Sequence, residues 1–508
     1  MKFTLLVFAA TAAWAQSASD TATITGTIVD PSKGLVAAAG ITLHNTQTGV
    51  DRQVSTGSNG TYRFLLVPPG TYDLRAEKAG FQSKLASGVR AIVGATITVD
   101  LELSLGTGNQ TIEVSGAAEL VEAERTSQAS ALVQEFIKDL PIDRRDYLTF
   151  TLLAPGVADS SSLADNSDFR VTQVPTSGLS FYGSNGRGNS VTVDGSETND
   201  SGGGVRANLG QEAVEEFDVN RASYSAELGG SSGGVINIIS KSGTNTLHGT
   251  GFGFFRHQSL DAADPFATVL TATGIARVKP DAQRQQFGFA FGGPIQKDKT
   301  FFYGAYEGLL RDETNAVSVL TDRSIFGATK DQEAILSRLP AANAAQLRAA
   351  LTASPATVAL FESNSGLQPY VSRTRSTSLR LDHTVNATDR VFLRLSHAGG
   401  GDSNASTKAL VGASRGSKAD HFDTVAAAGW TKGITATLLN DLRVQGSYHE
   451  LAVQSSEPFG PELNIAGFGF FNKDIFLPFD GISRYLEIRN NITKVGAAHT
   501  FKAGVQIL

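Results

Sequence analysis

The sequence predicts a mainly β chain with an N-terminal β-sandwich, an α+β middle segment and a C-terminal antiparallel sheet of the transmembrane-barrel type. Three observations carry this. Between residues 21 and 105, short strands alternate with turn residues at a spacing of roughly 8–12 residues, as in small sandwiches. From residue 246 onward, nine segments alternate apolar with small or polar residues. The links between those segments are alternately short and long, as in outer-membrane barrels with short turns at one end and long loops at the other.

Composition narrows the function classes. The 508 residues carry a net charge of −6, so no broad basic field exists for nucleic acid. There is no Cys, which excludes a disulfide framework, a Cys-ligated metal and a Cys nucleophile. The 53 Gly follow no collagen period, and the 15 Pro form no rich run, so a fibrous or linker chain is excluded. Past the N-terminus no run of about 18 apolar residues occurs, which excludes a helical membrane protein but not a barrel.

The start of the chain reads as a secretory signal peptide over residues 1–15. Met1-Lys2 is the positive start, residues 3–13 are nearly all apolar, and Ala13-Trp14-Ala15 is a small-x-small cleavage site ahead of Gln16. Cleavage is expected between Ala15 and Gln16.

In residues 21–105, strands are expected at 23–30, 41–44, 61–66, 71–76 and 95–101, with turns at Asn59-Gly60 and at Pro68-Pro69-Gly70. Gly26-x-x-x-Asp30, Gly60-x-Tyr62-x-Phe64, Pro69-Gly70-x-Tyr72 and Ala79-Gly80-Phe81 occur in that order. Together they resemble the carboxypeptidase regulatory-like domain, a transthyretin-like β-sandwich. The resemblance implies a spacer or binding module and no peptidase activity.

The middle segment, residues 111–245, begins with an isolated strand at Thr111-Ile112-Glu113-Val114. A short helix is expected over 130–140, with Leu132, Val133, Phe136 and Leu140 on one face and Pro141 ending it. Val191-Thr192-Val193 runs into the turn Asp194-Gly195. The glycine cluster at 183–188 fits neither phosphate-binding spacing and reads as tight turns. Asp194, Glu197 and Asp200 read as turn residues at strand ends rather than a carboxylate pair.

Val214-Glu215-Glu216-Phe217-Asp218-Val219, Tyr224-Ser225-Ala226-Glu227-Leu228-Gly229 and Gly233-Gly234-Val235-Ile236-Asn237-Ile238 resemble the end of the plug domain of TonB-dependent outer-membrane receptors. Phe181-Tyr182-Gly183 and Val193-Asp194-Gly195 fall where that family's earlier plug strands lie. Asn220-Arg221-Ala222 stands where the family has Arg-Gly-Pro. Sandwich, plug and barrel in this order resemble the Oar-like receptors. The implied division is a sandwich at 21–105, a plug at 111–245 and the first part of a barrel at 246–508.

Nine barrel strands are expected, near 247–257, 284–292, 301–306, 376–384, 390–396, 424–431, 438–448, 483–490 and 499–508. The long link at 311–374 carries a helical stretch over 331–351. Plugged transporters use about 22 strands, so the barrel is expected to be incomplete and the chain to be the N-terminal part of a longer protein.

No enzyme is expected. The eight His form no metal-binding pair at helical spacing, and no nucleophile elbow occurs. No catalytic, cofactor or metal residue is therefore assigned. The resemblance implies a receptor in the outer membrane, in contact with lipid, taking up a bulky extracellular ligand such as an oligosaccharide, a peptide or an iron chelate. The expected partner is a TonB-type periplasmic energy-coupling protein, which grips an extended segment by strand addition. The candidate segment is Thr111, Ile112, Glu113, Val114 and Ser115. The alternative is an adhesion or secretion-related protein on the same scaffold, without active transport.

Overall fold

A computed structural model describes residues 21–106, 109–112, 127–140, 145, 147–159, 179–184, 188–199, 204–206, 209–271, 274–404, 410–435, 437–457, 459–496 and 499–508. The signal peptide and its cleavage pair, Ala15 and Gln16, lie outside the described residues.

The sandwich closes two sheets over one core. One sheet joins Ala22–Val29 to Thr61–Val67, Thr96–Thr98 and Leu101–Glu102. The other has the order Asp51–Ser55, Gly40–Asn45, Gly70–Glu77, Ser83–Ala91, Asn109–Ile112. Ile24, Ile28, Leu43, Phe64, Leu74 and Leu103 are buried between them. The motif residues have physical roles. A Cβ on Gly26 would meet the Val99 carbonyl oxygen at 1.9 Å, so only glycine permits that strand approach. The Tyr62 hydroxyl donates to the same oxygen (2.6 Å), and the Tyr72 hydroxyl ties the Pro68 carbonyl (2.9 Å). Asp51–Ser55 and Ser83–Ala91 escape the sequence reading. The first is polar and exposed on alternate residues, and the second mixes Ser83, Lys84, Ser87, Gly88 and Arg90 with its apolar residues, so neither shows a clear apolar period.

The middle segment forms a five-stranded mixed sheet in the order Gln128–Leu132, Val214–Ala222, Val235–Ser240, Ser190–Val193, Ser196–Glu197. Phe217, Val219, Ile236, Ile238, Val191 and Val193 make its core. The helix expected over 130–140 is corrected: residues 128–132 are a strand, and only Gln134–Asp139 is helical. Leu132 pairs with Phe217 across the sheet, and Ile137 rather than Phe136 is the buried helical residue. Pairing with an apolar strand outweighs the weak helical preference of so short a segment.

The C-terminal half is one nine-stranded antiparallel sheet in which every strand pairs with its sequence neighbour. The strands are His248–His257, Ala282–Gln296, Thr300–Val317, Gly366–Thr384, Asp389–Ser403, Ser417–Thr435, Leu438–Ser455, Phe479–Val495 and Thr500–Ile507. All nine expected segments are present. Most are longer than expected, up to 19 residues for Gly366–Thr384, because strand pairing continues at the long-loop end where apolar alternation stops. The two edge strands are not paired with each other among the described residues. The long link between the third and fourth strands carries three helices, Lys330–Leu336, Ala341–Leu351 and Pro355–Asn364.

The burial of this sheet is inverted. Leu393 and Leu395, Val444, Leu486 and Ile488 are exposed on one face. Their chain neighbours Arg394 and Ser396, Arg443 and Gln445, Glu487 and Arg489 are buried on the other. Apolar side chains facing outward and polar ones inward are what a sheet in lipid requires. No helix is long and apolar enough to cross a membrane among the described residues.

Candidate functional site

The polar face of the nine-stranded sheet meets the middle sheet, and the closest junction is the turn Asp194-Gly195. Both residues have positive φ, +50° and +79°, which gives the tight two-residue turn joining Ser190–Val193 to Ser196–Glu197. The turn carries Asp194 to the inner wall. Its carboxylate accepts from Arg380 Nη1 (3.0 Å) and lies 2.8 Å from Arg394 Nε. The Ser240 amide (2.9 Å) and hydroxyl (2.8 Å) donate to the same carboxylate. Arg443 donates to the Asp194 carbonyl. A Cβ on Gly195 would meet Arg489 at 2.5 Å, so the glycine admits a further guanidinium beside the turn. Three wall arginines, from different strands, thus converge on one buried aspartate, and a fourth lies beside its glycine neighbour.

Burial by itself would raise the Asp194 carboxyl. Arg380, Arg394 and the Ser240 hydrogen bonds outweigh it and hold the group below its ordinary value. Arg394 is fully buried, so removing its partner would leave an uncompensated charge in a low-dielectric site.

The other junctions are polar as well. Glu487 accepts from the Glu197 amide (2.8 Å), and Gln445 donates to the Glu197 carbonyl (2.7 Å). Burial, with Glu487 nearby, raises the Glu197 carboxyl. Glu212 accepts from Arg145 (2.6 Å) and Thr250 (3.2 Å), while Tyr303 donates to its carbonyl (2.9 Å). Lys502 reaches Glu227 at 3.3 Å. A smaller apolar contact adds Ala290, Tyr303 and Ala305 of the wall to the core of the middle sheet.

The sandwich is seated at the short-turn end of the sheet. Gln47 accepts from the Asn245 amide, and Asn245 exchanges two hydrogen bonds with Asp298 in the first short turn (2.6 and 2.8 Å). Arg390, just past the second short turn, donates to the Leu66 carbonyl (2.8 Å). Leu65 and Leu66 pack with Leu439 and Val495, which flank the third and fourth. Arg63 donates to Thr500 (3.1 Å). On the side of the middle sheet, the Val93 amide donates to buried Glu216 (2.6 Å).

Of the candidate coupling segment, Thr111 and Ile112 are described. They belong to Asn109–Ile112, which lies parallel to Ser83–Ala91 with Leu85 opposite Thr111 and Ala86 opposite Ile112. This strand extends the edge of the sandwich and does not join the middle sheet, whose first strand is Gln128–Leu132. Glu113, Val114 and Ser115 lie outside the described residues. The cluster around Asp194 was not foreseen. The Asp-Gly turn was legible, but its arginine partners are 186 residues and more away, and inward-facing arginines at 380, 394, 443 and 489 were the available hint.

Comparison with known proteins agrees with this geometry. Residues 239–508 match the outer membrane beta barrel domain model, and residues 23–104 match the carboxypeptidase regulatory-like domain model. The chain is 31% identical over 309 residues to the TonB-dependent transporter Oar of Myxococcus xanthus, covering 58% of this chain and 27% of that protein. It therefore spans about a quarter of the length of this curated relative. Among solved structures, it is similar to the outer membrane transporter YddB of Escherichia coli, with 12% identity, 72% and 45% coverage of the two chains and a TM-score of 0.48. It is also similar to a variant of the ferric enterobactin receptor PfeA of Pseudomonas aeruginosa, with 13% identity, 76% and 49% coverage and a TM-score of 0.48.

Proposed function

The chain belongs to the outer membrane beta barrel domain family, and from that premise we propose that it forms part of a TonB-dependent receptor for energy-coupled uptake of a bulky solute. The observation that carries this reading is the chemistry of the junction around Asp194. A folded sheet sits against the polar wall of the barrel and is tied to it chiefly by ion pairs and hydrogen bonds. Water can replace such contacts, whereas displacing an apolar core would expose a large hydrophobic surface. A plug that must shift during transport needs the first kind of contact. In this reading the middle sheet is the plug, the short-turn end faces the periplasm, and the sandwich lies there as well.

Ligand classes compatible with a plugged barrel are an oligosaccharide, a peptide or an iron chelate. The coupling partner is a TonB-type protein, and its contact is the segment beginning at Thr111 and Ile112. The edge position of that strand supports this, since a strand paired on one side offers its other side for strand addition.

The test is binding of the host's TonB-type periplasmic domain to the purified protein. Ile112→Pro removes a backbone donor at the segment. It should abolish this binding while leaving barrel insertion, read by heat-dependent gel mobility, unchanged. Undiminished binding by Ile112→Pro would sink the contact assignment, and absence of binding by the parent chain would favour the adhesion reading.

A further inference from the structure

Each of the four short turns of the nine-stranded sheet has a residue of the sandwich against it or against a residue flanking it. At the first, a Cβ on Gly49 would meet the Asp298 carboxylate at 2.0 Å. At the second, Arg390 donates to the Leu66 carbonyl (2.8 Å), which also accepts from Arg52 of the sandwich (3.3 Å). At the third, Leu65 and Leu66 pack with Leu439. At the fourth, Val495 joins the same apolar cluster and Arg63 donates to Thr500 (3.1 Å). Two segments of the sandwich, 47–49 and 63–66, thus span the rim from the second strand to the ninth.

Behind this line of contact lies a cavity of about 760 Å³. Thr48 and Tyr72 of the sandwich, Ile239 and Ser240 of the middle sheet, and Thr384 and Phe392 of the barrel wall all line it. We propose that the sandwich is a movable gate, which covers this cavity at the short-turn end of the barrel and leaves its seat as a unit to let a solute out. The solute comes from the receptor reading above, on which this purpose rests; the covering of the cavity rests on the contacts alone.

Three features make the sandwich able to move without unfolding. Its core is drawn from residues 22–103 alone, so leaving the seat uncovers none of it. The seat itself is made of local contacts. Its hydrogen bonds, at Leu66, at Thr500 and between Gln47 and Asn245, are of a kind that water can replace. Its apolar part is the cluster of Leu65, Leu66, Leu439 and Val495. Finally, the last sandwich strand ends at Ile112 and the middle sheet begins at Gln128. The 15 residues between them can reach roughly 50 Å at about 3.3 Å each. That is chain enough for the sandwich to leave the rim while the middle sheet keeps its pairing.

The absence of Cys gives a direct test. Thr384→Cys places a single thiol on the barrel wall of the cavity. In the purified full chain in detergent, this thiol is offered a small methanethiosulfonate or a bulky polyethylene-glycol maleimide, the second read as a gel shift. The small reagent should react readily. The bulky one should react at least tenfold more slowly than in the urea-unfolded chain. Leu439→Asp puts a charge into the apolar part of the seat and should speed the bulky reaction at least tenfold. Arg63→Ala removes one hydrogen bond and should speed it severalfold. Neither should alter heat-dependent gel mobility. A separate thiol, Ala76→Cys in the sandwich core, should stay unlabelled in both seat variants, as expected if the sandwich moves as a folded unit.

Bulky labelling of Thr384→Cys as fast with the seat intact as in the unfolded chain overturns the proposal. So does a rate that neither seat variant raises, or labelling of Ala76→Cys in step with Thr384→Cys. No coupling protein and no transported solute enter this test. Its failure therefore leaves the receptor reading standing, and failed binding of the TonB-type domain leaves the covering of the cavity standing.

Discussion

The sandwich and the barrel are both antiparallel β-structure, yet they solve burial in opposite directions. In the sandwich, Ile24, Leu43 and Phe64 are hidden and the charged residues lie outside. In the barrel, Leu393, Leu395 and Leu486 face outward while Arg394, Arg443 and Glu487 are buried. Period-2 alternation is the same in both, so the strand pattern alone does not tell inside from outside. The difference teaches that the medium selects which face becomes the interior. Water drives apolar groups together in the sandwich, while lipid accepts them on the barrel and leaves polar groups to pair within.

The contrast is broken most severely by attacking the polar interior. Asp194→Ala leaves the Arg380 and Arg394 charges without their shared partner and should cost about 3–5 kcal/mol of the docking of the middle sheet on the barrel wall. The expected result is protease sensitivity across residues 188–240 with the barrel still inserted. Phe64→Ala makes the corresponding hole in the apolar interior, at about 3–5 kcal/mol. Limited proteolysis should then release the sandwich and spare the barrel. Leu395→Arg, on the lipid face, should cost about 2–4 kcal/mol, seen as reduced insertion into liposomes. Its chain neighbours on the inner face are already Arg394 and Ser396, so the pair of positions isolates the medium from the strand.

A pH experiment sharpens the same comparison at the seam between the sandwich and the middle sheet. Burial pushes the Glu216 carboxyl up to about 8, with Glu215 and Asp218 raising it further and Arg90 and the Val93 amide opposing. Released from the seam, the group returns toward its ordinary value of 4.5. The docked form thus holds the proton more tightly. Its stabilisation is complete below about pH 4.5 and is lost as pH rises through about 8. Crosslinking of the sandwich to the middle sheet should fall between pH 6 and pH 9, and Glu216→Gln should flatten the profile. The smallest effect is expected at Arg348, whose exposed pair with Glu333 lies on the long helical loop. Arg348→Ala should leave thermal melts essentially unchanged, since solvent screens an exposed pair.

How much was legible in the sequence follows from the range of the forces involved. The turn at Asp194-Gly195 was readable because positive φ is a local property of those two residues. The nine strands were readable because alternation is local too. The extra length of strands such as Gly366–Thr384 was not, since its polar end is held by pairing with Thr300–Val317. The helix at 134–139 was misplaced for a related reason: Leu132 looks helical beside Phe136 until Phe217 arrives as its partner.

By itself, the sequence determined that the chain is β-rich, that a sandwich precedes the barrel strands, and that those strands are joined by alternating short and long links. Each of these rests on residues close together in the chain. Tertiary structure decided which face of each strand is interior, that Asn109–Ile112 joins the sandwich, and that Asp194 ties the middle sheet to the barrel wall. It also decided that Arg52 and Arg390 meet at one carbonyl. Those outcomes depend on charges and backbone groups far apart in sequence, whose energies exist only once folding removes the water between them.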